Sequence, residues 1–272
     1  DKRDAARFCD LMGFASLGSG SRGNGTLVFI GDSLFLVDCG FSLKQTEIRL
    51  ARLGVSGGDI DGILVSHEHA DHINGVIPLS HKYKIPVYAS YGTNKSLGRS
   101  AEFTCFDGDK KFEIGGTTIN PVSVPHDARE PTQFTFSHQD ERIGVLSDIG
   151  YVTDHVLEQF QDCNLLLLEA NHDRGVLSKS AYPARLKERI SNDYGHLSNE
   201  QSLNALQKLA HKDLGVVLGH VSEQNNSRSL LEDTFETMRS KLRELCYATQ
   251  KEGFTWVGDR PVLRQMQIGQ GG

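Results

Sequence analysis

Cysteine is scarce and scattered in this 272-residue sequence: Cys9, Cys39, Cys105, Cys163 and Cys246, with no CxxC pair among them. An odd, dispersed set excludes a disulfide framework and a thiolate zinc site, and fits a reducing cytoplasm. Long apolar runs are missing too. No stretch approaches the ~20 residues needed to cross a bilayer, and the opening DKRDAARFCDL lacks the apolar segment of a secretory signal, so no membrane association is expected. Nor is there an excess of positive charge, since 29 Lys and Arg face 35 Asp and Glu for a formal net charge of −6. That excludes a protein that coats nucleic acid by bulk electrostatics, although a local basic groove or bound cations would still attract phosphate. Short-period repeats are absent, and only the tail QIGQGG is low in complexity.

The chain is long enough to bury a substantial core without staples. Strand-like patterns begin at Met12, so residues 1–11 read as an appended or loose leader. GFASL, TLVFI and LFLVDC read as consecutive strands, and SLKQTEIRLARLG as an amphipathic helix ended by Gly54. DGILVS and PVYAS follow as short strands. A β-rich middle holds KFEIGGTTINPVSV, TQFTFSH and RIGVLSD between glycine turns. NLLLLEA and LGVVLGHVS read as buried strands, with a helix between them capped by Ser198 and Gln201. A last helix is expected over about 226–248. Strands in both halves interleaved with helices predict a layered α/β protein with helices covering two sheets.

One stretch carries most of the chemistry. ILVSHEHADHING places His67, Glu68, His69, Asp71 and His72 within six positions, directly after an apolar run. On a helix His67 and His69 would point apart, so the segment belongs on a loop leaving a strand end. Imidazoles with carboxylates suit borderline divalent ions such as zinc, iron or manganese, and this density offers ligands to two adjacent ions. GSGSRG (18–23) matches GxGxxG, but a strand follows it where a dinucleotide site needs a helix. The turn is instead expected to line the site, where its backbone N–H groups with Ser21, Arg22 and Asn24 would meet an anion.

SHEHADH resembles the metal-binding signature of the metallo-β-lactamase superfamily. The resemblance extends from Met12 over nearly the whole chain and implies one domain over 12–272, folded as a four-layered αββα sandwich. It implies that His126 in VSVPHDA, Asp148 in VLSDIG and His220 in VVLGHVS complete the ligand set. His67, His69 and His126 would hold one ion and Asp71, His72 and His220 the other, with Asp148 between them. Glu169 in LLLLEANHD and His196 in YGHLSNEQ resemble, in part, the extra acid/base pair of the tRNA 3′-processing endonucleases.

GSGSRGNGTLV, PHDAREP, EANHD, GHLSNEQ and GHVSEQNN together most resemble the bacterial YycJ/WalJ-type branch. That implies a cytoplasmic phosphodiesterase, a 5′-to-3′ DNA exonuclease linked to DNA repair, with DNA ahead of RNA as substrate. It implies two divalent ions, zinc or manganese with iron as a further option, and a hydroxide held between them as nucleophile. Asp71 would orient the water, His196 backed by Glu169 would serve the leaving oxygen, and Asn225 would join the substrate contacts. The basic residues Arg22, Arg129, Arg174, Lys179, Arg185, Lys187 and Arg189 are candidates for meeting phosphate. The alternative is a metallohydrolase of a small-molecule ester, thioester, lactone or β-lactam, because the fold alone does not choose a substrate.

Overall fold

In the computed structural model, which describes residues 11–97 and 103–261, the chain builds two seven-stranded sheets. The leader assigned to residues 1–11 lies outside the described residues apart from Leu11, and so does the tail QIGQGG.

The first half runs β1 (Met12–Gly18), β2 (Gly25–Ile30), β3 (Ser33–Val37), α1 (Leu43–Arg52), β4 (Gly62–Val65), α2 (Ala70–Ile73), α3 (Val76–Tyr83), β5 (Val87–Ser90), α4 (Tyr91–Leu97) and β6 (Phe103–Phe106). The second half runs β7 (Phe112–Ile114), β8 (Thr117–Ser123), β9 (Thr132–His138), β10 (Glu141–Leu146), α5 (Asp154–Phe160), β11 (Leu165–Glu169), α6 (Arg174–Lys179), α7 (Ala184–Ser191), α8 (Asn199–Leu209), β12 (Gly215–Gly219), α9 (Arg228–Phe235) and β13 (Glu244–Tyr247). A final strand, β14 (Phe254–Gly258), returns to the first sheet and pairs antiparallel with β1.

The sheet orders are β14-β1-β2-β3-β4-β5-β6 and β13-β12-β11-β10-β9-β8-β7. Pairing is antiparallel on one side of each sheet and parallel from β3 through β6 and from β10 through β13. Helical crossovers between the parallel strands supply outer layers, so β3, β4, β11 and β12 are buried on both faces and read as continuous apolar runs, while the edge strands β6 and β13 are only partly buried.

Residue parity sorts the runs into layers. Val28, Ile30, Phe35, Val37 and Leu64 of the first sheet meet Phe134, Phe136, Ile143, Leu165 and Val217 of the second in one cluster between the sheets. Their neighbours Leu27, Leu36, Ile63 and Val65 pack outward against Leu50 of α1 and Leu79 of α3. Leu166, Leu168, Val216 and Leu218 pack against Val156 of α5, Leu206 of α8 and Leu231 of α9. Three apolar seams between four layers make the αββα sandwich.

Local signals behave as the sequence indicates. Gly54, at φ 75°, ends α1 with its N–H donating to the Ala51 carbonyl. Ser198 and Gln201 form a reciprocal capping box on α8. Gly115 and Gly116 both take positive φ between Ile114 and Thr117, splitting KFEIGGTTINPVSV into the β7–β8 hairpin.

The helix expected over 226–248 needs correction. It stops at Phe235, and after a 3₁₀ turn at Glu236–Met238 the chain enters β13, parallel to β12. Leu231, Phe235, Met238 and Leu242 have helical spacing, yet all four reach the same core because the turn keeps them on its side. Pairing with β12 overrides their periodicity.

Candidate metal centre

Every candidate ligand leaves the carboxyl end of a strand or begins a helix on the same edge of the sandwich. His67 and His69 follow β4, Asp71 and His72 lie on α2, and His126, Asp148 and His220 follow β8, β10 and β12. Glu169 is the last residue of β11, and His196 precedes α8. Each half therefore contributes part of one cluster, at the edge where open α/β sheets place their ligands.

The first half holds its loop by backbone bonds to distant segments. Asn24 N–H donates to the Asp71 carbonyl (2.8 Å), Cys39 N–H to that of His72 (2.7 Å) and Gly75 N–H to that of Cys39 (2.7 Å). Gly40 allows this approach, for a Cβ there would lie 1.7 Å from the Asp71 carbonyl oxygen. Side chains then orient the rings. Asp38 Oδ2 lies 2.7 Å from His72 Nδ1, while Asp38 also accepts from the Ser66 N–H and hydroxyl. Ser66 Oγ in turn lies 2.9 Å from His67 Nδ1. His67 Nε2 and His69 Nδ1 end up 3.0 Å apart.

In the second half His126 Nδ1 faces the Gly195 carbonyl at 3.2 Å, which directs Nε2 inward. His220 Nδ1 lies 3.1 Å from the Asn171 amide and 3.2 Å from Glu169 Oε1, so its Nε2 also points inward. The His220 N–H donates to Ser19 Oγ. Asp148 sits in the middle, with carboxylate oxygens 3.4 Å from His72 Nε2, 3.5 Å from His220 Nε2 and 4.0 Å from His126 Nε2. Asp38, Asp148 and His220 all adopt positive φ (61°, 50° and 52°), a conformation worth about 1–3 kcal/mol of local strain each and common where a site is over-determined.

The donor set fits a divalent cation. The Nε2 atoms of His126 and His220 are buried without a hydrogen-bond partner among the described residues. Donor atoms of His67, His69 and His126 fall within 4.8 Å of one another, as do those of Asp71, His72 and His220 and those of His67, His72 and Asp148.

The field agrees. Burial depresses the His72 and His220 imidazoles, yet Asp148 with Asp38 holds His72 well above its ordinary pKa, and Asp148 with Glu169 holds His220 at about 9. Burial, and then the neighbouring His72, keep His67 well below its usual range. Burial would raise Asp148, but His220 and His72 hold it far below the carboxylate range. Asp148 draws positive charge toward His72 and His220, while His67 stays neutral, the form in which an imidazole binds a metal.

Glu169 and His196 join this cluster. His196 Nδ1–H donates to Glu169 Oε1 at 2.7 Å and lies 3.8 Å from Asp148 Oδ1. Glu169 is fully buried, and its Oε2 accepts the N–H groups of Ile149 and Leu197. Burial would raise its pKa, but His196 beside it brings it to about 2. Because Oε1 also meets His220 Nδ1, Glu169 serves two imidazoles where the sequence suggested one.

The residues expected to touch substrate are placed less directly. Asn24 is buried, its Oδ1 accepting from Gly20 N–H and its Nδ2 lying 3.0 Å from His72 Nε2, so it props the ligand loop. Ser21 is exposed at the turn. Arg22 is engaged with Glu223 at 2.6 Å. Asn225 is buried and bonded to Ser222 and Asp173 rather than to the cluster. Arg174 and Arg189 are likewise paired, with Glu200 and Asp127.

Asp38, Ser66 and Asn171 were missed by sequence reasoning. LFLVDCG carried the available signal for Asp38, a carboxylate ending an apolar strand as in VLSDIG. Asp38→Asn should keep the left-handed turn, which asparagine tolerates, and weaken metal binding by about 10- to 100-fold through a misoriented His72. Titration of the chelated protein with zinc checks this, and parental affinity would reduce Asp38 to a turn residue.

Residues 34–220 match the family model of the beta-lactamase superfamily domain. The chain is 36% identical over 226 residues to the exodeoxyribonuclease WalJ of Streptococcus pneumoniae (strain D39), covering 80% of this chain and 84% of that protein. It is 34% identical over 225 residues to the exodeoxyribonuclease YycJ of Bacillus anthracis, covering 80% and 85%. In fold it is similar to the metallo-β-lactamase fold protein YhfI from Bacillus subtilis, with a TM-score of 0.68 and 18% identity over 92% of this chain and 100% of that one.

Proposed function

We propose, from the premise that this chain belongs to the metallo-β-lactamase superfamily and to its YycJ/WalJ-type branch, that it is a metal-dependent nuclease that digests DNA from the 5′ end. The observation that carries the reading is the Glu169–His196 pair, 2.7 Å apart and set against Asp148 in addition to a sufficient metal donor set. An alkoxide leaving from a phosphodiester needs a proton donor, whereas an activated thioester or lactone gains little from one.

We assign His67, His69 and His126 to one divalent ion, Asp71, His72 and His220 to a second, and Asp148 to both, with zinc or manganese as the occupants. When bound, such ions supply an activated water near neutral pH and neutralise phosphate charge. The chain's own residues do the rest. Asp71, partly exposed beside His72 Nε2 at 3.7 Å, orients the attacking water and accepts its proton. Glu169 fixes His196 with Nδ1–H toward the carboxylate, which leaves Nε2 to serve the leaving oxygen. Asp38, Ser66 and Asn171 hold the imidazoles in register. The free cysteines Cys39, Cys105, Cys163 and Cys246 are in keeping with a reducing cytoplasm. No helix among the described residues is long and apolar enough to cross a membrane.

Strands labelled at the 5′ or 3′ end, in DNA and RNA and in single and double form, test this reading. Protein reconstituted with manganese or zinc should carry about two ions per chain, release mononucleotides from 5′-labelled DNA and lose all turnover on chelation. DNA affinity should fall by about one log-log unit of salt per phosphate contact. Turnover of a thioester or lactone with inert DNA would reject the nuclease reading.

A further inference from the structure

A cavity of about 250 Å³ adjoins the loop that carries His220. Its wall begins at Val221, the next residue, and includes Glu223, Arg228, Tyr247, Gln250 and Lys251. Two of these hold the turn that carries Asn24, which props His72. Gln250 Oε1 accepts the Arg22 N–H at 2.8 Å and its amide donates to the Gly23 carbonyl, in the turn whose Asn24 props His72. Glu223 holds the Arg22 side chain. The cavity therefore shares with the metal centre the Val221 end of the His220 loop and the Arg22–Asn24 turn.

Its floor is a built platform. The Arg228 guanidinium lies over the Tyr247 ring, 3.6 Å from the centroid, and its Nε–H donates to Glu232 one turn along α9 at 2.7 Å. Arg239 approaches the Tyr247 hydroxyl at 3.2 Å and fixes the ring from the other end. Arg228 is thus held flat, while its side chain stays 59% exposed. Glu232 neutralises it, so the platform offers a planar face more than a charge. Lys251, at the cavity's edge, makes no ion pair among the described residues. A flat guanidinium on an aromatic ring, in a mainly apolar cavity beside a nuclease centre, matches the way bases stack on arginine and aromatic planes. A lone anion would be opposed by Glu223 and Glu232.

We propose that this cavity receives the base of a nucleotide next to the scissile phosphate, stacked on the Arg228–Tyr247 pair. The proposal rests on the nuclease reading above and adds a subsite that is tolerant of sequence, because every base offers a π-face.

Abasic scanning tests it on the metal-loaded full chain. A single-stranded DNA in which one abasic residue is moved through the positions flanking the first cleaved bond should show one position that lowers kcat/KM by about 10-fold or more. Arg228→Ala should lower kcat/KM for the intact strand by a similar factor and make the abasic and intact strands equivalent. Arg228→Lys, which keeps the charge without the plane, should behave like Arg228→Ala. If Arg228→Ala does not fold by circular dichroism, the wild-type scan and Arg228→Lys still decide. A flat scan on active wild type, a scan penalty that persists in Arg228→Ala, or full rescue by Arg228→Lys overturns the subsite and leaves the nuclease reading intact. Wild type that cleaves no nucleic acid overturns both.

Discussion

Asp148→Asn should drop bound metal from about two ions per chain to less than one and lower phosphodiester turnover by well over 100-fold. The carboxylate lies between His72, His126 and His220, within 4.0 Å of each inward nitrogen, and is buried away from water. Removing its charge leaves those imidazoles facing one another, where like-charged cations would repel with nothing between them. Losing a residue that merely props a ligand costs about 10- to 100-fold, and a carboxylate shared by both ions should exceed that. Asparagine suits the test because it accepts the positive φ of Asp148 (50°). Elemental analysis with circular dichroism separates the outcomes. A folded variant that keeps two ions and near-parental turnover would show that Asp148 does not bridge.

His196→Ala and Glu169→Gln should part company. Removing His196 is expected to leave metal content intact and slow cleavage of a natural phosphodiester by about 10²- to 10⁴-fold, with a much smaller effect on an activated aryl phosphodiester. Glu169→Gln should do this and also weaken metal binding. Glu169 Oε1 meets His220 Nδ1 as well as His196, and Oε2 accepts two backbone N–H groups. A glutamine amide would turn an NH₂ toward one set of those donors. Glu169, brought to about 2 chiefly by His196 against the effect of burial, stays ionised across ordinary assay pH. Its share of folding stability is present above about pH 4.3, its unfolded value, and is lost as pH falls toward 2. An acid limb of activity near pH 5 or 6 would therefore belong to another group. If His196→Ala loses metal, His196 is a ligand. If it cleaves DNA at the parental rate, the pair has no part in the chemistry.

Part of the cluster was legible because the residues that the family resemblance pointed to mostly stand at the exit of apolar strands. VLSDIG, LLLLEA and VVLGHVS announce Asp148, Glu169 and His220 by a polar residue at the exit of a buried strand, and the structure gathers all three at one edge. What surrounds them was not legible. The pairing of Arg22 with Glu223 joins residues 201 positions apart, and nothing in the flanking sequence of either points to the other. Asn24 was expected to meet an anion with the backbone of its glycine-rich turn, yet the fold buries it against His72. The short helix α7 places only Leu186 and Ile190 as apolar residues on its partly buried face, too short a stripe to announce a helix. The end of α9 was hidden by apolar spacing that a helix and a turn satisfy equally.

The return of β14 to β1 has a consequence for the chain while it is being made. β1 is synthesised before the other strands of its sheet, and β2 and β3 can pair beside it at once. Its other edge has no partner until residues 254–258 emerge, and Met12 waits equally long for Asp259, whose N–H donates to its carbonyl. At ordinary translation speeds of about 5–20 residues per second, that interval is roughly ten to fifty seconds. Throughout it the nascent protein offers a strand edge of the kind that recruits other chains. A stop codon shortly before Phe254 would leave that edge of β1 permanently without its partner strand.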